Sequence, residues 1–221
     1  MDKISTRFSE REDTLGAVCR AIAATVSARR GNYMIFSPSF AYSEALAAAF
    51  RRAYPKITVL SQRRDMSQNE RREFLEKFKE ESKSYLIGFC VMGGIYSEGI
   101  DLAGDALIGA VIVGVGLPGL SYERGAIEAY FDEKCESGKL YSYIYPGINR
   151  VLQAAGRVIR REDDRGVIVL IDDRFGDPLY KKSMPALWRG VKYIKDAREL
   201  RTRLDGFWQE IDRERQRRDE E

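Results

Sequence analysis

The sequence contains no histidine among its 221 residues. Without an imidazole, the chain cannot form a Ser-His-Asp triad, a Cys-His nucleophile or an HExxH zinc site. Cysteine is also scarce, and Cys19, Cys90 and Cys135 are too far apart in sequence for a CxxC-type metal site or a disulfide framework. We therefore expect reduced thiols, and any chemistry must depend on carboxylates, lysine or arginine.

Long hydrophobic runs are absent as well. No apolar stretch is long enough to span a bilayer, and the opening MDKISTRFSEREDTLG lacks the apolar segment of a signal peptide. These two absences predict a cytoplasmic protein that makes no contact with a membrane. The net charge of +3, from 37 basic and 34 acidic residues, is too small to indicate a polyanionic partner by itself.

The chain does contain short apolar runs that alternate with helical patterns. Runs that are apolar at successive positions indicate strands buried on both faces, and strands separated by helices indicate parallel crossovers. The sequence therefore predicts an α/β fold, a doubly wound and mostly parallel sheet with helices on both faces. The predicted strands lie in YMIF (33–36), ITVL (57–60), YLIGFCVMGG (85–94), ALIGAVIVGVGLPG (106–119) and GVIVLIDDRF (166–175).

Capping signals mark where helices should begin. Ser9 and Glu12 have the spacing of a capping box in front of an amphipathic helix over residues 10–30, and Ser67 and Glu70 repeat that spacing before RREFLEKFKE.

The apolar spacing after residue 184 predicts a further helical segment. We expect a main domain over residues 1–184 and a C-terminal helical extension over residues 185–221 that packs on it, with its last residues frayed.

Loops that follow the predicted strands are the expected ligand-binding region, because doubly wound sheets bind ligands at the carboxyl ends of their strands. SPSF, GGIYSEGID, GLPG and DDRF should share this rim. Residues 114–119 match GxGxxG, but the proline in the turn and the late position of the strand argue against a dinucleotide site. The one Gly-Lys pair, Gly138-Lys139, is followed by leucine, so the chain has no Walker A loop.

The segment QAAGRVIRRE (153–162) places polar residues at helical spacing. On a helix over residues 148–161, Gln153, Arg157 and Arg160 lie at i, i+4 and i+7 along one side. Such arginines are either ordinary solvated charges or ligands for an anion. The opposite side, which we expect to bury against the sheet, carries Ile148, Leu152, Ala155 and Ile159.

A family resemblance favours the anion interpretation. QAAGRVIR is similar to motif VI, QxxGRxxR, of superfamily 2 helicases, and GGIYSEGIDLAGDALIGAVIVGVGLP resembles the motif V region of the XPD/DinG branch. TRFSERED, YMIFSPSF (similar to motif IV) and GVIVLIDDRF stand where that branch would place them. The chain therefore resembles the second RecA-like motor domain of a DinG/XPD-type ATP-dependent DNA helicase. The first motor domain has no counterpart here, so the chain is either a fragment that works with that domain in cis, which we favour, or a protein that works with a separate partner.

The resemblance implies roles for the motif VI side chains. ATP and Mg²⁺ would lie between the two motor domains, with the metal and the β- and γ-phosphates held by the absent one. Arg157 and Arg160 would act as arginine fingers, and Gln153 would bind the γ-phosphate or the attacking water. The iron–sulfur cysteines that many members carry upstream would not belong to this chain.

Further positions follow from the same resemblance. Glu98, Gly99 and Asp101 would contact the ribose or orient an arginine; the less favoured alternative for Glu98 and Asp101 is a pair of loop carboxylates that cap the next segment. The sequence Asp172-Asp173-Arg174 would tie the motif VI helix to the rim.

Single-stranded or forked DNA is the implied partner, held by hydroxyls and a helix N-terminus without reading of its sequence. The aromatic candidates would stack on bases but fit a core position as well. The predicted DNA-contacting residues are Ser37, Ser39, Phe40 and Ser97, with Tyr42, Arg63 and Arg64 as additional candidates.

Three functions remain open on the sequence. The favoured one is the second motor domain of a 5′ to 3′ DNA helicase, which we expect to be monomeric and inactive as an ATPase by itself. The second is a non-catalytic nucleic-acid-binding module with the same fold, and the third is a dinucleotide-binding enzyme that uses residues 114–119.

Overall fold

A single parallel sheet organises the protein. The computed structural model describes residues 3–80, 85–97, 102, 104–159, 161 and 163–220. The five strands found in these residues are all parallel and follow the order β2-β3-β1-β4-β5, which confirms the predicted α/β fold. The strands are β1 (Asn32–Ser37), β2 (Thr58–Ser61), β3 (Leu86–Val91), β4 (Gly109–Val113) and β5 (Val167–Ile171).

Helices cover both faces of the sheet. One apolar core joins the sheet to α1, α2 and α7, and a second core joins the opposite face to α3, α5 and α6. The α-helices are α1 (Arg11–Ala28), α2 (Phe40–Ala53), α3 (Gln68–Lys79), α4 (Tyr122–Cys135), α5 (Tyr145–Ala155), α6 (Pro178–Ser183) and α7 (Ala197–Asp219). Short 3-10 turns lie at Phe8–Glu10, Gly104–Ala106, Asp173–Gly176 and Ala186–Gly190, and a π-helical turn spans Leu140–Ile144.

The central strand shows why its sequence is apolar at every position. Successive side chains of a strand point to opposite faces, so a strand covered on both sides needs apolar residues throughout. In β1, Ile35 packs in the core of α1, α2 and α7, while Met34 and Phe36 pack in the other core.

The strand register brings four loops to one edge of the sheet. Ser37 pairs with Val91, Phe36 with Ile112, and Val113 with Ile171. The loops that follow β1, β3, β4 and β5 therefore begin at the same level, as the sequence predicted. We call this edge the carboxyl rim and define it by residues 38–40, 92–97, 114–119 and 172–175.

Of the two predicted capping boxes, one forms. Ser67 and Glu70 make both reciprocal hydrogen bonds at the start of α3, with the Ser67 amide donating to the Glu70 carboxylate at 2.8 Å. The prediction for Ser9 and Glu12 is wrong. A 3-10 turn occupies this stretch, and α1 begins at Arg11 without a side-chain cap. The segment before this 3-10 turn contacts the carboxyl rim. These contacts determine where α1 begins.

The C-terminal part of the chain packs on α1. Leu200, Leu204, Trp208 and Ile211 of α7 are buried in the same core as α1 and α2. The helix continues to Asp219 with exposed side chains over residues 212–218, and the division at residue 184 stays a prediction. No helix in the described part of the chain is long and apolar enough to cross a membrane.

Candidate nucleotide and nucleic-acid site

Helix α5 carries the motif VI segment and is strongly amphipathic. Ile148, Val151 and Ala154 are buried against the sheet, while Gln153 is exposed. A proline in the first turn suits the start of α5, since the ring needs no amide hydrogen there. The helix therefore presents Gln153 to solvent from a firmly packed base.

The predicted extent of this helix is wrong, because α5 ends at Ala155 and not at residue 161. Beyond it the chain makes two tight turns, in which the amides of Arg157 and Val158 donate to the carbonyl oxygens three residues earlier at 3.3 and 3.1 Å. The turns change which side chains face inward. Val158 is 1% exposed, whereas Ile159, which we expected to be buried, is 44% exposed.

Arg157 nevertheless stays beside Gln153. The Nε atom of its guanidinium donates to the carbonyl oxygen of Gln153 at 3.1 Å, and the side chain is partly exposed. The structure thus brings together two of the three predicted motif VI residues at the solvent-facing end of α5. Arg160, Glu98, Gly99 and Asp101 lie outside the described residues, so the roles assigned to them stay predictions.

A buried carboxylate holds the segment after α5 in place. Asp164 is 7% exposed, and its two oxygens accept the backbone amides of Arg161 at 2.9 Å and of Gly104 at 3.2 Å. These bonds join the arginine-bearing segment to the stretch that leads into β4. The sequence analysis missed Asp164, because Asp163 beside it looks identical and only the fold shows which of the two is buried.

Arg150 links two loops of the carboxyl rim. Its Nη1 atom donates to the carbonyl oxygen of Gly116 at 3.3 Å, and its Nε atom would lie 3.1 Å from a Cβ at Gly93. One arginine therefore lies against the loops after β3 and β4 together. The sequence could have indicated Arg150 as a candidate, because it precedes Gln153 by about one helical turn on α5.

The glycines of the GxGxxG segment allow the loop after β4 to pack closely against α5. Gly114 and Gly116 have φ angles of +95° and +66°, which favour glycine, and a Cβ at Gly116 would lie 2.7 Å from the carbonyl oxygen of Gly147 in α5. The backbone that a dinucleotide would have to approach is therefore covered by α5. In addition, α4 begins only after Ser121, so no helix N-terminus follows the glycines directly.

Asp172 is the centre of a polar network at the end of β5. The side chain is fully buried and accepts hydrogen bonds from Nε and Nη2 of Arg174 at 2.7 and 2.8 Å, and from the hydroxyl of Thr6. Asp173 forms an ion pair with Arg7, in which both side chains stay partly exposed. The prediction that these residues hold the motif VI helix is wrong. They hold the N-terminal segment, because β5 ends at the carboxyl rim while α5 ends near the opposite edge, where β5 begins.

The network also fixes the ionisation of Asp172. Burial favours the neutral carboxyl group and raises its pKa, but the hydrogen bonds from Arg174 and Thr6 favour the carboxylate more strongly. The net result is a pKa of Asp172 below its usual range.

The serine candidates for DNA contact occupy three different environments. Ser37 is fully buried at the end of β1, and its hydroxyl has no hydrogen-bond partner among the described residues. Ser97 is also fully buried, and its hydroxyl donates to the carbonyl oxygen of Gly94 at 2.7 Å. Ser39 caps α2 by accepting the amide of Tyr42 at 3.3 Å. Neither Ser37 nor Ser97 offers its hydroxyl to solvent in this structure.

The aromatic and basic candidates also differ from one another. Phe40 is partly exposed at the start of α2, with the guanidinium of Arg64 5.3 Å from its ring centroid. Tyr42 is a core residue, 6% exposed, and burial raises the pKa of its hydroxyl to about 12. Its expected alternative role in base stacking is therefore wrong. Arg63 forms an ion pair with Glu70 of α3.

Comparison with known proteins places this geometry in a family. A model of the helicase C-terminal domain matches residues 22–191. The chain belongs to this family. Its relatives include the ATP-dependent DNA helicase DinG of Photobacterium profundum, 32% identical over 126 residues, and a regulator of telomere elongation helicase 1 homolog of Arabidopsis thaliana, 33% identical over 130 residues. The alignments cover 54% and 53% of this chain, but only 18% and 12% of the two relatives.

Solved structures support the same fold. An XPD helicase structure superposes with a TM-score of 0.64 at 17% identity, and an XPD apo structure with 0.65 at 18% identity. Each match covers 82% of this chain, and 32% and 36% of the two solved chains. The predicted resemblance to the C-terminal, RecA-like motor domain of DinG/XPD-type helicases is therefore confirmed.

Within this helicase domain, the candidate residues divide between two regions. Gln153 lies on the exposed side of α5 and Arg157 just after its end, and Asp164 connects the segment after α5 to Gly104. Ser39 and Phe40 lie on the carboxyl rim. Among the described residues, no cluster of three or more Cys, Asp or Glu side chains could hold a metal ion.

Proposed function

We propose that this helicase domain is the second motor domain of an ATP-dependent DNA helicase and completes an ATP site that it shares with a first motor domain in cis. The observation that carries the proposal is that Arg157, just after α5, contacts Gln153 on the exposed side of α5, while Asp164 anchors the segment that follows Arg157. The names of the relatives, one of which is an ATP-dependent DNA helicase, and their greater length support it.

The chain's own contribution to catalysis is positive charge. A partly exposed guanidinium and an exposed amide suit the oxygens of a polyphosphate, because arginine presents several donors in a fixed fork. The described residues offer no carboxylate cluster for Mg²⁺, so we assign the metal and its ligands to the first motor domain. When bound, ATP supplies the phosphoanhydride bond whose hydrolysis drives the motor.

Arg157 and Arg160 act in this proposal as arginine fingers. Their guanidinium groups spread positive charge over the phosphoryl oxygens in the transition state, and Gln153 orients the attacking water or the γ-phosphate. Asp164 keeps the arginine segment against the stretch before β4. Closure of the two motor domains brings the fingers in, and opening withdraws them.

The nucleic-acid part of the proposal concerns the carboxyl rim. Single-stranded DNA crosses this edge at the start of α2, where Ser39 and Phe40 lie, and the protein moves 5′ to 3′ as a cytoplasmic monomer. Because the phosphate loop is missing, the chain by itself does not hydrolyse ATP.

DNA-stimulated ATP hydrolysis by the chain joined to its first motor domain tests the proposal. We expect Arg157→Ala and Arg160→Ala each to lower the turnover at least a hundredfold, since arginine fingers contribute about 10³–10⁵ in rate. Arg161→Ala is the matched control, because Arg161 is an exposed neighbour outside the QxxGRxxR pattern, and it should retain most of the activity. A loss of less than tenfold for both finger variants would leave the non-catalytic nucleic-acid-binding module as the better account.

A further inference from the structure

Phe8 is an aromatic residue whose side chain is exposed to solvent. It is 88% exposed and lies two residues after Thr6, the last residue of a buried stretch that also contains Ile4 and Ser5. Large apolar side chains gain free energy from leaving water, so a nearly complete exposure this close to a buried stretch calls for a physical reason.

The exposure does not come from a loose chain end. The hydroxyl of Thr14 donates to the carbonyl oxygen of Ser5 at 2.7 Å, and Nε of Arg11 donates to that of Thr6 at 2.9 Å. The hydroxyl of Thr6 donates to Asp172 at the end of β5. The 3-10 turn that carries Phe8 is thus fixed at both ends, and the ring projects from a rigid base.

The ring lies beside the start of α2. The guanidinium of Arg11 is 5.7 Å from the ring centroid of Phe8 and 4.9 Å from that of Tyr42, in the first turn of α2. On the same turn, Phe40 has the guanidinium of Arg64 5.3 Å from its ring centroid. Two aromatic rings, each next to one arginine, therefore accompany the N-terminus of α2.

This arrangement suits the bases of a single strand. Bases of unpaired nucleic acid stack on exposed aromatic rings, and arginines beside the rings add cation–π attraction. Glu10 and Glu12 follow Phe8 closely and are exposed, so they offset the charge of Arg11 towards phosphates, and stacking is the main contact of the ring. Thr6 lies 3.1 Å from a Cβ position at Gly114, which places the segment on the carboxyl rim.

We propose that Phe8, together with Phe40, forms a base-stacking surface for single-stranded DNA beside the N-terminus of α2. This inference rests on the proposed function, because it extends the DNA contact at the carboxyl rim to a segment outside the helicase motifs. The surface takes any base, since every base offers an aromatic face.

Fluorescence anisotropy of a labelled oligothymidylate with this chain provides the test. Phe8→Ala should weaken binding about tenfold, as expected for the loss of one stacked base, while the melting temperature stays unchanged because the ring is exposed. The slope of affinity against salt concentration should also stay unchanged, since no phosphate contact is lost. Phe8→Trp should keep the affinity, and its added tryptophan emission should be quenched by the oligonucleotide.

Tyr130→Ala is the matched control. Tyr130 is 55% exposed and has a cation, Lys134, 6.0 Å from its ring centroid, but it lies on α4 among acidic side chains. Its replacement should leave the affinity unchanged. If Phe8→Ala binds as tightly as the parent chain, or if Tyr130→Ala weakens binding equally, the stacking surface is wrong while the arginine-finger proposal stands. If the parent chain does not bind the oligonucleotide at low salt, the DNA contact at the rim fails together with this inference.

Discussion

At the scale of single residues, Asp172 shows how burial changes the contribution of a charged side chain to stability. Its carboxylate is withdrawn from water and is compensated by two hydrogen bonds from one guanidinium and one from Thr6. The neighbouring pair of Asp173 and Arg7 keeps about a third or more of each side chain exposed. Removing one partner of a buried pair leaves an uncompensated charge, whereas exposed pairs contribute little.

Asp172→Asn should therefore lower the free energy of unfolding by about 3 kcal/mol at pH 7, measured by urea denaturation. Asp173→Asn, the exposed control, should cost less than about 1 kcal/mol. Equal losses for the two variants would show that the burial of Asp172 has no energetic consequence.

Acid should remove the same contribution in the parent chain. The folded pKa of Asp172 lies below its unfolded value, so its stabilisation is present above about pH 4 and is lost as the pH falls through the folded pKa. The urea midpoint of the parent chain should decrease more steeply between about pH 4 and pH 2 than that of Asp172→Asn. Parallel curves for the two proteins would contradict this assignment.

At the scale of elements, the contact between α5 and the loop after β4 depends on two glycines. A Cβ at Gly147 would lie 2.7 Å from the carbonyl oxygen of Val115, and one at Gly116 would lie equally close to the carbonyl oxygen of Gly147. Backbone atoms on both sides leave no flexible side chain to move aside. The close approach lets α5 carry Arg150 across to the carboxyl rim.

Gly147→Ala should therefore destabilise the protein by about 1–3 kcal/mol, because the new methyl group forces backbone to shift. Gly206→Ala, in the middle of α7, meets nothing within 4 Å and should stabilise by about 0.5–1 kcal/mol through helix propensity. Differential scanning calorimetry of the pair separates steric from conformational effects of the same substitution. A gain of stability for Gly147→Ala would disprove the close approach.

At the scale of the whole molecule, α7 completes the core on one face of the sheet. Trp208 is 4% exposed and the guanidinium of Arg29 lies 4.7 Å from its ring, while Ile194, Leu200 and Leu204 fill the same core. From Asp212 to Arg218 the side chains are exposed; Arg215 pairs with the exposed Asp105, and Asp212 with the partly exposed Arg29. The segment predicted as an extension thus contributes to the main core as far as Ile211.

Truncation after residue 184 should expose this core, giving a chain that binds a hydrophobic dye and has lost its cooperative thermal transition. Truncation after Ile211 should keep that transition within a few degrees, because it removes exposed side chains and surface ion pairs of about 0–1 kcal/mol each. A shorter chain, ending at residue 184, that melts like the parent would establish residues 185–221 as an independent appendage.

The local pattern of the sequence was sufficient to predict the fold. The spacing of apolar residues and the capping signals can be read from short stretches of sequence. The apolar run YMIF therefore predicted β1 correctly, and the Ser67/Glu70 capping box predicted the start of α3. The family motifs identified the helicase domain for the same reason, since each motif is a short continuous stretch. The parallel order of strands then brought the four loops to one rim.

Only the tertiary structure decided which polar residues meet. The end of α5 at Ala155 depends on turns that bury Val158, and periodicity alone continues the helix to residue 161. Asp163 and Asp164 are equivalent in sequence, but one is buried. Likewise, Asp172 binds Thr6, 166 residues away, because β5 and the N-terminal segment meet at the rim. Contacts between distant parts of the chain follow from how its layers pack, which no local pattern records.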